Sequence, residues 1–245
     1  MNHTENKFQY KQSISIEKAI DTIKIKCTNT MNKPLWRGMR DSGDSLIMDS
    51  RSGERLPTIA KIAGNYSAMI FNTQLTKKKL PPRTQCVITT GHETKAHTQG
   101  FGNGTCYAIF PFDEHVFCGS QKDLWEVKFS INNQKISLLD FHKTLYAFEV
   151  DDKNLDTMVQ DIYSITSNNL NKNNDFNKAF YELFHGKNEE ELRHMILESL
   201  DIDILFDVYQ SDNINHSVTE IWFNGPCICL RENIYEQVKQ YFSLM

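Results

Sequence analysis

Three residue types in a fixed order could do chemistry in this sequence: an arginine, a pair of threonines and a glutamate, each on a strand-like stretch. Arg37 lies in Lys33-Pro34-Leu35-Trp36-Arg37-Gly38-Met39-Arg40. A guanidinium presents a planar fork of donors that suits a phosphate or a carboxylate. Gly38 lets a ligand approach the backbone closely, and Trp36 offers a wall for a planar ring. Thr89 and Thr90 close the run Cys86-Val87-Ile88 and lead into Gly91, where extended chain meets a polar loop. Such junctions often carry function. Glu220 opens Ile221-Trp222-Phe223, so its carboxylate stands at the edge of an apolar surface. There it can bind a sugar hydroxyl and stabilise a developing positive charge. Each residue also has a plain structural reading. Arg37 is equally a surface charge or an ion-pair partner, the threonines are strand formers, and Glu220 is an exposed acid at a strand start.

Other groupings are less pointed. His92, His97, Cys106 and Cys118 fit no zinc spacing, since no C-x2-C occurs and the two histidines lie five apart in a loop. Cys227 and Cys229 alternate within a strand and share one face, as buried apolar thiols would. A Cys/His nucleophile, Cys106 or Cys118 with His92, His97 or His115, stays open. The G-x-G-x-x-G, Walker, G-x-S-x-G and H-E-x-x-H signatures are missing from the sequence.

The elements that must position these residues can be read in order. Ile16, Ala19, Ile20 and Ile23 form one helical stripe behind a capping Ser15. That helix is expected to end near Asn29, with a first strand over 33–39. Residues 40–58 read as an exposed loop and 58–71 as a helix ended by the Pro81-Pro82 pair. From 84 to 130 the composition is that of strands, at 85–90, 105–110, 115–118 and 125–129, with further strands at 135–139 and 145–150. Gly91 to Gly104 reads as a polar loop whose glycines permit closure over a substrate. Helical spacing takes over at 151–212, with Asn188 capping a helix whose first turn holds Glu189, Glu190 and Glu191. Strand returns over 218–230, broken at Gly225-Pro226, before a closing helix or strand.

The totals agree with a globular chain. Its 245 residues, 40% hydrophobic and 11% aromatic, suffice for a sizeable core. A net charge of -4 supplies no global basic field for nucleic acid. Lys77-Lys78-Lys79 with Arg83 is a local basic cluster, read as a solvated loop. No signal-like or membrane-spanning run occurs, and six scattered cysteines are expected to be reduced thiols, which together point to a cytoplasmic protein.

The ordered set resembles the ADP-ribosyltransferase family, in its arginine–serine/threonine–glutamate branch. Leu35-Trp36-Arg37-Gly38 is similar to the family's first motif strand, and Val87-Ile88-Thr89-Thr90 to its Ser-Thr-Ser strand. The resemblance implies an α+β fold with a split, mostly antiparallel sheet, as a single domain over 1–245 with a helical insertion at about 151–212. It implies NAD as co-substrate. Arg37 would hold phosphates or ribose, the Gly38 backbone the nicotinamide amide, and Thr89 or Thr90 would brace the site. Tyr107 or Phe110 would stack on nicotinamide, and Glu220 would be catalytic. The motif is Thr-Thr-Gly rather than Ser-Thr-Ser. Val218 stands where arginine-modifying members carry a second acid, which argues against arginine as acceptor. Glu93, Glu114 and Glu126 are rival carboxylates. The implied activity is transfer of ADP-ribose to a macromolecule (RNA, DNA or protein), as in bacterial or phage conflict toxins, with an antitoxin or inhibitor as partner. NAD hydrolysis on the same fold, or a non-catalytic phage or bacterial binding protein, are the other readings. The enzyme readings require Arg37, Thr89 or Thr90, and Glu220 to meet in one cleft.

Overall fold

A computed structural model describes residues 10–39, 41–52, 75, 80–82, 85–98, 104–121, 128–131, 134–137, 155–167, 181–197, 201–202, 206–210 and 212–242. The elements follow the chain as β1 (Tyr10–Ser13), α1 (Ile16–Lys26), β2 (Leu35–Met39), β3 (Ser45–Asp49), β4 (Val87–Thr89), α2 (Glu93–Thr98), β5 (Thr105–Pro111) and β6 (Val116–Ser120). Then come β7 (Lys128–Ile131), β8 (Gln134–Ser137), α3 (Leu155–Ser167), α4 (Glu189–Leu197), β9 (Asp201–Ile202), β10 (Phe206–Gln210), β11 (Glu220–Phe223), β12 (Pro226–Arg231) and α5 (Glu232–Val238). The fold is α+β, and its named strand pairs are antiparallel. Among the described residues no helix is long and apolar enough to cross a membrane.

Two compact units divide the chain. The first takes Met1–Leu56, Leu80–Lys122 and Leu205–Met245, and the second Pro57–Lys79 and Asp123–Ile204. In the first, a five-stranded sheet runs β1-β3-β12-β5-β2 and a four-stranded sheet runs β10-β6-β11-β4. One isolated bridge, Trp36 with Thr90, joins the free edges of β2 and β4. Alternation along the strands divides the apolar residues between two cores. Leu35, Met39, Met48, Val87, Tyr107, Ile109, Phe117, Ile221, Phe223 and Cys227 pack in one cluster, drawn from both sheets. Trp36, Ala108, Phe110, Ile228 and Leu230 face the other way, onto α1, α5 and Ala96 of α2.

Local chemistry sets the ends of these elements. Ser15 Oγ accepts the Lys18 amide at 3.2 Å, the capping bond the sequence predicts. The helix stops at Lys26, short of Asn29, because Asp113 takes over the next donors. Its carboxylate accepts the Thr28 amide at 2.9 Å, the Thr28 hydroxyl at 2.7 Å and the Asn29 amide at 3.0 Å. The 91–104 loop is not wholly irregular: its 93–98 segment forms α2. The predicted helix over 58–71, the strand at 145–150 and the Lys77–Arg83 cluster lie outside the described residues.

The second unit holds the sheet β8-β7-β9 with α3 and α4. Asn188 and Glu191 close a reciprocal capping box, with both bonds at 2.9 Å. Arg193 of α4 pairs with Asp156 of α3. The 151–212 stretch, expected to be helical, also carries β9 and β10. Those strands pair with β7 and β6, partners more than sixty residues upstream, which helical spacing cannot reveal.

Candidate functional site

The three sequence motifs fall on neighbouring strands. β11 pairs with β4, setting Ile221 opposite Thr89, and β4 meets β2 at the Trp36–Thr90 bridge. The bridge is a closed pair: the Trp36 amide donates to Thr90 O at 2.8 Å and the Thr90 amide to Trp36 O at 2.9 Å. Among the described residues the two strands do not continue as a ladder beyond it. Arg37 sits at this split, and its Nη1 donates to Ile88 O at 2.5 Å. The guanidinium thus satisfies a carbonyl that a continued ladder would have served.

Faces separate the candidates. Arg37 follows Leu35 and precedes Met39, both in the core between strands of the two sheets, and its charge reaches Cys227 there. Thr89 is on the same side and donates its hydroxyl to Ile221 O at 2.8 Å, with no exposure. Ile221 and Phe223 pack in that core, so Glu220 and Trp222 alternate to the opposite face. Carrying the β4–β11 register one residue further sets Thr90 beside Glu220, on the face that Trp36 and Gly38 share. On the other side, Ser120 lies directly across from Glu220. Thr90, Glu220 and Ser120 therefore make a polar row across three strands, with Glu220 only 4% exposed.

This geometry corrects part of the expected site. Arg37 and Glu220 belong to adjacent strand systems but to opposite faces. Tyr107 has no exposed surface: its hydroxyl donates to Gly43 O at 2.8 Å and accepts the Ser42 amide at 3.1 Å. Phe110 is likewise unexposed and packs between Tyr235 and Phe242, each with ring centroids 5.8 Å away. Both aromatics are core, closed to a stacking ligand. Gly38 is buried on β2 opposite Cys106. Among the rival acids, Glu93 and Glu114 are exposed, and Glu126 lies outside the described residues.

Residues that sequence reasoning passed over complete the picture. Ser120 carries no motif, and only the long-range register with Glu220 reveals it. His92 Nε2 donates to Ser217 O at 3.2 Å, and its amide donates to Thr90 Oγ1 at 3.2 Å. Burial and then the nearby Lys33 and His92 push the His216 imidazole down to about 4. Thiol chemistry is poorly placed. Burial raises Cys106 and Cys118 to about 12, where little thiolate forms. Among the described residues no group of three or more His, Cys, Asp and Glu side chains comes together to hold a metal. A groove of about 770 Å3 opens beside Met31, Tyr235 and Phe242, and none of the candidate residues lines it. In comparisons with protein-family models, curated proteins and solved structures, nothing matches this chain.

Proposed function

We propose that the chain is an NAD-consuming ADP-ribosyltransferase whose reacting carboxylate is Glu220. One observation carries the reading: β2, β4 and β11 are neighbours, in the order arginine strand, threonine strand, glutamate strand, which puts Thr90 and Glu220 on one face, although Arg37 faces the inter-sheet core and does not join them in one cleft. A split antiparallel sheet of ADP-ribosyltransferase type is the finer fold reading that goes with it. Breaking the N-glycosidic bond of NAD builds positive charge on the ribose. A carboxylate held beside that sugar in a weakly solvated position lowers the barrier electrostatically. Thr90 and Ser120 flank Glu220 in the row, and Arg37 acts as a positioning residue that fixes β2 against β4. The acceptor is a macromolecule other than an arginine side chain, given Val218 two residues before Glu220. A toxin role with a restraining partner protein, and a cytoplasmic setting, belong to the same proposal.

The test is incubation with NAD labelled in its adenylate half, with cellular RNA, DNA and protein offered separately. Label is expected on one polymer class, and Glu220→Gln is expected to lower the rate by about 10²–10³-fold while remaining folded. Label in free ADP-ribose alone assigns water as acceptor and makes the chain an NAD glycohydrolase.

A second reading has its own support. The burial of Glu220, Tyr107 and Phe110, with Arg37 on the other face, fits a non-catalytic binding protein whose polar row is structural. NAD that neither binds nor turns over would establish that reading over the first.

A further inference from the structure

The sheet end that carries Thr90 and Glu220 also gathers basic side chains that the proposed reaction has not used. Antiparallel pairing brings together the start of β2, the end of β4 and the start of β11, since Trp36 pairs with Thr90 and Ile221 with Thr89. Lys33 stands just before β2, His92 just after β4, and His216 just before β11. The three therefore arrive from separate segments at one edge. Close contacts hold two of those segments together. A Cβ on Gly91 would sit 2.0 Å from the His216 carbonyl oxygen, so the 91–92 turn lies directly on the His216 backbone. His92 Nε2 reaches Ser217 O at 3.2 Å. Asn215 Oδ1 accepts both the Ser217 amide at 3.0 Å and the Ser217 hydroxyl at 2.6 Å, which fixes the turn that carries His216.

Two further facts point to a ligand. His216 Nδ1 is buried and has no hydrogen-bond partner among the described residues. Lys33 is exposed, yet it lies near enough, with His92, to bear on the His216 ring in addition to its burial. The Lys33 charge and the unpartnered His216 ring thus meet at one edge beside the His92 turn, a setting in which an anion finds a point charge and an N–H donor. Arg37 cannot serve there, because it faces the inter-sheet core and donates to Ile88 O.

We propose that Lys33, His92 and His216 form an anion subsite for the pyrophosphate of a dinucleotide, at the end of the Thr90–Glu220–Ser120 row. The lysine supplies a point charge, the His216 imidazole supplies an N–H donor to a phosphate oxygen, and His92, whose Nε2–H is given to Ser217 O, holds the turn that carries His216. The identity of the ligand rests on the NAD-consuming reading, whereas the anion site itself rests on the convergence of the three segments.

The test is a calorimetric titration of the full chain with sodium pyrophosphate. Variants are Lys33→Ala, His92→Gln and His216→Gln, with Lys18→Ala, an exposed charge on α1, as control; circular dichroism checks each fold. Saturable binding is expected, weakened about tenfold by Lys33→Ala and by His216→Gln, the effect of losing one charge-assisted bond, and unchanged by Lys18→Ala. Because Lys33 is exposed, its variant keeps the test decisive even if a histidine variant misfolds. No pyrophosphate binding, or equal binding by wild type and Lys33→Ala, overturns the subsite. Binding of single-stranded RNA through these residues without binding of pyrophosphate also overturns it. NAD turnover measured in parallel separates the two proposals. Pyrophosphate bound through these residues without turnover keeps the anion site and overturns its assignment to NAD. Turnover without pyrophosphate binding removes the subsite and leaves the NAD reading standing.

Discussion

Arg37 illustrates how far a residue's type alone can be read. Its place beside Gly38 on a strand is plain in the sequence, but its partner is a backbone carbonyl that only the split between β2 and β4 exposes. Replacing it with alanine leaves Ile88 O buried without that donor. A loss of about 1–3 kcal/mol in folding stability is expected, read by urea denaturation, whether or not activity falls. Two histidines give a pH signature. His115 is sandwiched between Phe112 and Phe223 and donates its Nε2–H to Pro226 O at 3.0 Å, and burial holds its pKa below 6.5. His216 is pushed further, to about 4. Both are neutral in the fold at pH values where the unfolded chain takes up a proton. Stability is therefore full above about pH 6.5 and falls as pH drops, for His216 until about pH 4. His216→Gln is expected to flatten that slope in denaturation curves measured across the window, by no more than about 3 kcal/mol. An unchanged slope would mean the ring is hydrated in the native protein.

At the scale of elements, strands and helices with strong patterning were legible. The stripe of α1, the Asn188 cap of α4 and the apolar run of β5 are all visible as local sequence. Pairing was not, because register depends on contacts across a hundred residues or more, as with Glu220 and Ser120. Which face each motif residue takes follows from register, so the opposite orientations of Arg37 and Glu220 were hidden for the same reason. Two glycines show how elements are held at close range. Gly225 adopts φ +146° in the turn from β11 to β12, and a Cβ there would lie 2.2 Å from the His115 ring. Gly91 meets backbone rather than a movable side chain. Gly91→Ala is expected to cost about 2–3 kcal/mol, since the turn at 215–218 must shift to admit the methyl. Gly225→Ala adds strain in φ to the clash and is expected to cost at least as much. Chemical denaturation checks both, and a near-neutral Gly91→Ala would show that the two turns are not in contact.

For the whole molecule, length and composition gave the broad class, and the partition into two units did not show in them. The second unit takes chain from both 57–79 and 123–204, so no boundary in composition marks it. All six cysteines are free and buried, with the thiols of Cys27, Cys106, Cys118 and Cys227 raised by burial. The native chain is expected to resist a coloured disulfide reagent at pH 8 and to react at six sites once denatured, so thiol titration reports global unfolding. Rapid reaction at one site in native buffer would reveal local opening instead. The Trp36–Thr90 bridge between the sheets has a further consequence for solvent exchange. Trp36 and Thr90 donate to each other in two bonds of one pair, so a parting of β2 from β4 there releases both amides together. In native-state hydrogen exchange those two amides should carry one shared opening free energy, marking the seam along which the two sheets part.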